Sequence, residues 1–185
     1  MASWIRNGAA PVTISTNLSP LHFRTTDIVD SVAAALFDSG LPPHLLTLEI
    51  TESVLIDDVS QVSNILERLR GLGVRLALDD FGTGYSSLAY LRKLNVDIIK
   101  IDQSFVRDLE RTGETQVIIQ ALVDMAKGMH KKLVVEGIET EEQATIIREL
   151  GCNYGQGYLF GKPLWEADAR AMVPNVADLS VPKVG

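Results

Sequence analysis

The chain has 185 residues, of which 46% are hydrophobic and 22% charged, and its formal net charge is −7. This length and apolar content suit one globular domain with a sizeable core and exclude disorder, while the acidic balance argues against a nucleic-acid partner, which needs clustered lysine and arginine. No apolar run approaches the roughly 20 residues of a membrane span and the start lacks the plan of a signal peptide, so the sequence predicts a cytoplasmic piece without membrane contact of its own.

Short apolar runs that are rich in branched side chains predict six strands. They are expected at 12–15, 45–50, 74–78, 96–101, 133–135 and 158–160. Helical patterns lie between the strands, and alternating strands and helices predict a mostly parallel sheet with right-handed crossovers.

Three of the helical patterns carry distinct signals. Val62, Leu66 and Leu69 recur at helical spacing, and Gly71 and Gly73 are placed to end that helix. Thr140 followed by Gln143 predicts a capping box, and Gly151 is expected to close the helix that follows. A further stripe, interpreted as the core-facing side of its helix, comprises Val117, Ala121, Leu122, Met125 and Met129.

The fold class follows from the first strand and from the chain length. A glycine-rich turn would mark a dinucleotide fold, but Asn17-Leu18-Ser19-Pro20 follows the strand instead, which favours a barrel. A complete (β/α)8 barrel takes about 250 residues, and only six strand–helix units are present. We therefore predict an α/β fold, a modified TIM barrel over residues 1–174 that is incomplete and lacks the first strand–helix units, with a loose tail over 175–185.

Cysteine and histidine contribute little to the expected chemistry. The single cysteine, Cys152, excludes an internal disulfide framework and a cysteine-based zinc cage, and no base lies beside it, so it is interpreted as structural. His22, His44 and His130 fall in or beside helices and loops and are interpreted as surface or packing residues.

A polar residue that can bind a metal or handle a proton closes each apolar run. Because the carboxyl ends of parallel strands form one rim, these side chains are expected to converge on one pocket. They are Asn17, Glu49, Asp79, Lys100, Glu136 and Gln156.

Local patterns refine this expectation while leaving structural alternatives open. Alternation places Leu48 and Ile50 on one strand face and Glu49 on the other, towards the barrel interior. Asp79 and Asp80 repel each other, which suits a cation site, although an aspartate-rich turn with a helix N-cap explains them equally well. Lys100 closes an otherwise apolar strand, so its ammonium group must contact an anion. A structural ion pair with Asp102 or with a carboxylate of a neighbouring strand is the alternative to a role in the site.

The donor types select the metal. Oxygen donors without histidine or cysteine favour a hard cation, Mg²⁺ or Mn²⁺, over zinc. Such ions at a barrel mouth suit metal-assisted hydrolysis of a phosphate ester.

The motifs themselves resemble those of a known family. In chain order, NLSP, EITES, LDDFGTGYSSL, DIIKIDQSFV, VVEGIET and GCNYGQGYLFGKPL are similar to the signatures of EAL-domain cyclic di-GMP phosphodiesterases. The resemblance covers about residues 4–164. It implies a modified TIM barrel that binds two Mg²⁺ or Mn²⁺ ions and hydrolyses cyclic di-GMP to linear pGpG. It also implies a homodimer, and it leaves open whether a sensory or GGDEF domain precedes this one in a parent protein and whether that parent is attached to a membrane.

The resemblance also implies residue roles. Asn17, Glu49 and Asp79 match metal ligands, and Asp80 and Glu136 match ligands of the second metal. Glu136 is also a candidate general base, Lys100 matches the lysine that contacts the nucleophilic water or the phosphate, and Gln156 matches the glutamine that supports the catalytic water. Glu52 matches the glutamate that tethers the loop of Phe81, Gly82, Thr83 and Gly84, which couples the metal site to the dimer partner. Asp102, Gln156 and Pro163 are expected to contact substrate.

One family signature is missing, because the sequence contains no Glu-Ala-Leu. Its glutamate is a metal ligand in the family, and losing one carboxylate weakens a hard-cation site. We therefore expect the isolated chain to be weakly active or inactive, and the exposed edges of an incomplete barrel to promote self-association. Two alternatives remain: a non-catalytic EAL module that binds cyclic di-GMP or a protein as a sensor, and an unrelated Mg²⁺-dependent barrel enzyme with Lys100 as its base.

Overall fold

The computed structural model describes residues 1–25, 27–55, 59–83, 91, 94–107, 109, 113–152 and 154–176. Its strands are β1 (Ile14–Leu18), β2 (Leu46–Thr51), β3 (Arg75–Phe81), β4 (Ile98–Ile101), β5 (Lys132–Val135) and β6 (Tyr154–Gly155). Its helices are α1 (Ala2–Arg6), α2 (His22–Thr25), α3 (Ile28–Ser39), α4 (Val59–Gly71), α5 (Ser104–Arg107), α6 (Gly113–Gly128), α7 (Glu141–Glu149) and α8 (Glu166–Met172), with 3-10 turns at Pro43–Leu45 and Glu52–Leu55.

The six strands form one parallel sheet in the order β1-β2-β3-β4-β5-β6. This order confirms the incomplete α/β barrel, because each strand lies beside its predecessor and the described sheet ends at β1 on one side and at β6 on the other. All carboxyl ends of the strands therefore lie at the same edge of the sheet, where the predicted site residues are expected to meet.

The core lies between the outer face of the sheet and the helices. Leu48, Ile50 and Leu78 are at most 1% exposed, and they belong to one buried cluster with Leu66 and Leu69 of α4. The predicted burial of Leu48 and Ile50 opposite Glu49 is thus confirmed, as is the helix that ends at Gly71. The capping box is confirmed too, because the Thr140 side chain accepts from Gln143 N while the Gln143 side chain accepts from Thr140 N.

Two strand predictions were wrong in position. The first strand spans Ile14–Leu18 instead of 12–15, so Asn17 lies within it. The last strand is Tyr154–Gly155, and residues 158–160 form a turn in which Phe160 N donates to Gly157 O. Tyr158 and Phe160 are exposed there, and Leu159 N donates to Ile138 O instead of pairing in the sheet.

The predicted core face of α6 was wrong in part, although Leu122, Met125 and Met129 do pack against the core. The helix buries Ile119, Val123 and Ala126, whereas Val117 is 69% exposed and Ala121 is exposed. The helix is apolar around most of its circumference, so periodicity alone could not select the face that meets the sheet.

The two ends of the described chain pair with each other. Ala9 and Asn175 form an antiparallel bridge, and Val176 N donates to Gly8 O. Contacts of the domain therefore extend past residue 174, where the tail was expected to begin. In the described part of the chain, no helix combines the length and the apolar character that crossing a membrane requires.

Candidate metal centre

A buried lysine lies at the centre of the acidic side chains. Lys100 Nζ on β4 is 2.8 Å from Glu49 Oε2, 2.9 Å from Asp79 Oδ1 and 2.7 Å from Glu136 Oε1. The Lys100 side chain is 7% exposed. The structure therefore brings four of the predicted site residues together, and Asp102 is not among the lysine's described partners.

These side chains meet because their strands place them on the inner face of the sheet. Asn17 of β1 is in register with Glu49 of β2, and Thr51 of β2 is in register with Asp79 of β3. Since side chains alternate along a strand, Leu48 and Ile50 point to the helices and Glu49 points inward to Lys100. Glu136 follows the last residue of β5, and its N–H donates to Ile101 O of the neighbouring strand.

Asp79 and Asp80 contribute to one cluster although they are consecutive. On a regular strand they would face opposite sides of the sheet. From Leu78 to Phe81, however, the register of β3 shifts against β4, and Asp80 adopts a φ of 54°. A bulge of this kind redirects a side chain, and aspartate is among the residues that tolerate positive φ. One carboxylate oxygen from each of Asp79, Asp80 and Glu136 consequently lies within 4.8 Å of the other two.

The electrostatics of the cluster favour an additional cation. Burial raises the pKa of Asp80, Asp79 and Asp102 raise it further, and Lys100 opposes them. Burial likewise raises the pKa of Glu136, against the hydrogen bond from Lys100. Burial alone would lower the pKa of Lys100, but Glu136, Glu49 and Asp79 raise it above its ordinary value, so the lysine is charged. Four carboxylates around one ammonium give a net charge of about −3 when all are ionised.

The residues present fit a hard divalent cation. Asp79 Oδ1 is buried, and Lys100 Nζ lies 2.9 Å from it. One ammonium group cannot offset the charge of four carboxylates, and carboxylate oxygens are the donors that Mg²⁺, Mn²⁺ and Ca²⁺ prefer. Asp79, Asp80 and Glu136 present such oxygens close together, and Glu49 and Asn17 lie on β2 and β1 of the same sheet.

A cavity of about 270 Å³ adjoins Glu136. Gln156 lines it, and Gln156 N donates to Val135 O while its carbonyl accepts from Ile138 N. A β-carbon on Gly157 would collide with the backbone of Ile138, so glycine is required there for packing against the chain itself. Motif reasoning did not single out Gln103, Glu139 and Tyr158, which also line the cavity. Their proximity depends on how the loops after β4, β5 and β6 pack, and no local pattern encodes it.

The remaining predicted residues lie around this centre. Glu52 begins the 3-10 turn after β2, and its Oε2 is buried without a hydrogen bond. Asp102 accepts from Ser104 N, and the hydrogen bonding of Ser104 lowers the pKa of Asp102. Pro163 is exposed between β6 and α8.

The expected coupling loop follows β3. Phe81 is buried in the core, Gly82 packs against the ring of Phe105, and Thr83 Oγ1 donates to Asp80 O. Gly84 lies outside the described residues.

The domain is therefore an open parallel α/β barrel whose carboxylate cluster around a lysine could hold a divalent cation. The chain belongs to the EAL domain family, whose profile matches residues 1–163. It is 45% identical over 151 residues, 82% of its length, to the cyclic di-GMP phosphodiesterase NbdA of Pseudomonas aeruginosa, and covers 19% of that protein. The chain spans about a fifth to a quarter of the curated relatives that it matches first.

Solved structures agree with this assignment. The PaMucR phosphodiesterase in complex with c-di-GMP superposes with a TM-score of 0.86 at 41% identity, over 91% of this chain and 68% of that one. The manganese and cyclic di-GMP complex of BlrP1 from Klebsiella pneumoniae gives a TM-score of 0.79 at 33% identity, over 88% of this chain and 41% of that one. Relatives of this domain thus bind cyclic di-GMP and a divalent metal.

Proposed function

We propose that this domain binds cyclic di-GMP and hydrolyses one of its phosphodiester bonds to give linear pGpG, with Mg²⁺ or Mn²⁺. The observation that carries the proposal is the contact of Lys100 with Glu49, Asp79 and Glu136, with Asp80 turned into the same cluster. The names of the relatives and the nucleotide complexes of the structural neighbours support the choice of substrate.

The cluster can be divided between two ions. Asn17, Glu49 and Asp79 would hold one ion, and Asp80 and Glu136 would hold the second. Bound divalent ions would stabilise the charge that develops on the phosphate and make a water molecule more acidic.

The chain's own groups then have separate tasks. Lys100 is protonated, and its ammonium group would donate a hydrogen bond to a phosphate oxygen or to the attacking water. Glu136 has a pKa that burial raises, which brings the carboxylate closer to the working pH of a general base. The Gln156 amide, at the same cavity as Glu136, would orient that water.

We further propose that the chain by itself turns over slowly, because its sequence has no Glu-Ala-Leu and so lacks one carboxylate of the family's site. The rest of the site supports nucleotide binding even where hydrolysis is slow, which keeps the sensor role as the second candidate. We also propose that the domain forms a homodimer through the loop of Phe81, Gly82, Thr83 and Gly84, which Glu52 would tether.

The test is Mn²⁺-dependent conversion of cyclic di-GMP, with pGpG separated by chromatography and the EAL domain of MucR assayed alongside. We expect slow turnover that Glu136→Gln abolishes and that the surface variant Glu149→Gln leaves unchanged. Saturable nucleotide binding without any conversion would favour the sensor, absence of both would refute the substrate assignment, and turnover equal to that of MucR would refute the low-activity proposal.

A further inference from the structure

A second cavity, of about 170 Å³, lies at the amino ends of β5 and β6, opposite the metal centre. Lys127, Lys131 and Lys132 line it together with apolar residues and Tyr154. No carboxylate lines it among the residues that the structure describes. In a chain with a net charge of −7, three lysines around one cavity form a strong local concentration of positive charge.

The backbone builds this arrangement. Two residues after α6, His130 adopts a left-handed conformation, φ 55°, and there His130 N donates to Lys127 O while Lys131 N donates to Ala126 O. This closure is a Schellman motif, and it turns the chain so that Lys131 and Lys132 return beside Lys127, which lies in the last turn of α6.

A second helix end completes the wall of the cavity. Gly151, with φ 85°, closes α7 through Gly151 N to Arg148 O and Cys152 N to Ile147 O. The Lys127 ammonium lies so close above Gly151 that a β-carbon there would be only 2.7 Å from Nζ. Two helix carboxyl ends thus meet at the cavity.

The charges do not balance within the protein. The carboxyl end of a helix carries about half a negative charge, so the two ends offset about one of the three positive charges. Burial lowers the pKa of Lys131 and Asp97 opposes this, but Asp97 is also bound by Leu76 N and paired with Arg70. Burial raises the pKa of the Cys152 thiol to about 11, so Cys152 adds no negative charge at neutral pH.

The individual lysines present their ammonium groups differently. Lys131 Nζ donates to Val96 O at 2.6 Å, which fixes its position. Lys132 Nζ lies 5.0 Å from the centroid of the Tyr154 ring, a cation–π contact that leaves its three N–H donors free to meet an anion. Lys127 and Lys132 are exposed at the cavity mouth.

We propose that this cavity, defined by Lys127, Lys131 and Lys132, is a binding site for a dianionic phosphate group. About two uncompensated positive charges match a phosphate dianion, and a phosphate fits a cavity of this volume. The site lies at the opposite end of the strands from Glu136 and Gln156, so this proposal can be tested independently of the phosphodiesterase proposal.

The test uses the full chain in EDTA at constant ionic strength, titrated with inorganic phosphate and, separately, with glycerol 3-phosphate, while backbone amide shifts are followed by NMR. We expect saturable shifts centred on Gly151 and Tyr154. The ligand that binds more tightly shows whether the site prefers the free ion or a phosphate ester.

Variants separate a built site from general attraction to a charged surface. Lys127→Gln with Lys132→Gln should weaken binding at least about tenfold, since each removes a charge-assisted hydrogen bond. Lys127→Arg with Lys132→Arg should retain binding, and Arg68→Gln, on α4, should leave it unchanged. Shifts that do not saturate at Gly151 and Tyr154 with either ligand, or equal affinity in the Gln double variant, would overturn the proposal.

Discussion

Lys100 and Glu49 lie two strands apart in the sheet, yet Nζ and Oε2 are 2.8 Å from each other. Neighbouring strands are about 4.8 Å apart, so the lysine reaches across β3 to its partner. It also contacts Asp79 on β3 and Glu136 beyond β5. One ammonium group therefore holds together side chains from three other strand ends.

Lys100→Met is expected to destabilise the metal-free protein by about 3–5 kcal/mol at pH 7, because it leaves buried carboxylates without their cation. Burial already raises the pKa of Glu136, and removing Lys100 raises it further. A group whose pKa is higher in the folded state stabilises that state most at low pH. The destabilisation caused by Lys100→Met should therefore become smaller as the pH falls from 7 to 5.

Urea unfolding in EDTA at both pH values measures this effect, with Lys162→Met as the control at an exposed lysine. Equal stability of Lys100→Met and the wild-type chain at pH 7 would show that the three contacts contribute nothing.

Asp80→Asn is expected to weaken Mn²⁺ binding at least about tenfold, because it removes one of the three clustered carboxylates while keeping the size of the side chain. Isothermal titration with MnCl₂ measures the affinity, and Glu149→Gln serves as a charge-matched control on the surface of α7. Saturating Mn²⁺ should also raise the free energy of unfolding of the wild-type chain, by about 2.7 kcal/mol at 100 times Kd. Unchanged affinity in Asp80→Asn would exclude Asp80 from the site.

The thiol of Cys152 should react slowly with Ellman's reagent at pH 7 in the folded protein and rapidly in urea. Burial raises its pKa to about 11 in the folded state, whereas an unfolded thiol has a pKa of about 8.5. As the pH rises above 8.5 the unfolded chain loses this proton first, so stability should fall.

Between pH 8.5 and 10 the loss from this one group should amount to about 1–2 kcal/mol. Lysine and tyrosine also titrate in this range. Subtracting the pH dependence of stability measured for Cys152→Ala leaves the contribution of the Cys152 thiol. A difference of zero between the two proteins over this range would contradict the burial argument.

Self-association beyond the proposed homodimer is expected to depend on β1, which has a partner strand on one side only in the described sheet. Unpaired backbone groups of an edge strand bind further strands, and a charged side chain on the edge discourages this. Light scattering should show a mass that rises with concentration, and Ile14→Lys should reduce the rise. Met172→Lys, the same kind of change at an exposed residue of α8, should not. A concentration-independent monomer would remove the basis for edge pairing.

The sequence by itself determined the features that depend on neighbouring residues. Alternation along 45–50 was enough to place Glu49 opposite Leu48 and Ile50, and the Thr140–Gln143 spacing specified its cap. The order of strands and helices determined the parallel sheet, and with it the meeting of Glu49, Asp79, Lys100 and Glu136 at one edge, because parallel strands end on the same side.

Only the tertiary structure decided features that depend on which surfaces pack together. The face of α6 that is buried and the position of β6 at Tyr154 were set by the sheet, not by periodicity. The left-handed backbone of Asp80 arises from a register shift against β4, and it turns a carboxylate that alternation would point away into the cluster. Likewise, Lys127 and Lys132 share a cavity because α6 ends in a reversal beside the end of α7, a long-range arrangement whose energy comes from packing that no sequence window contains.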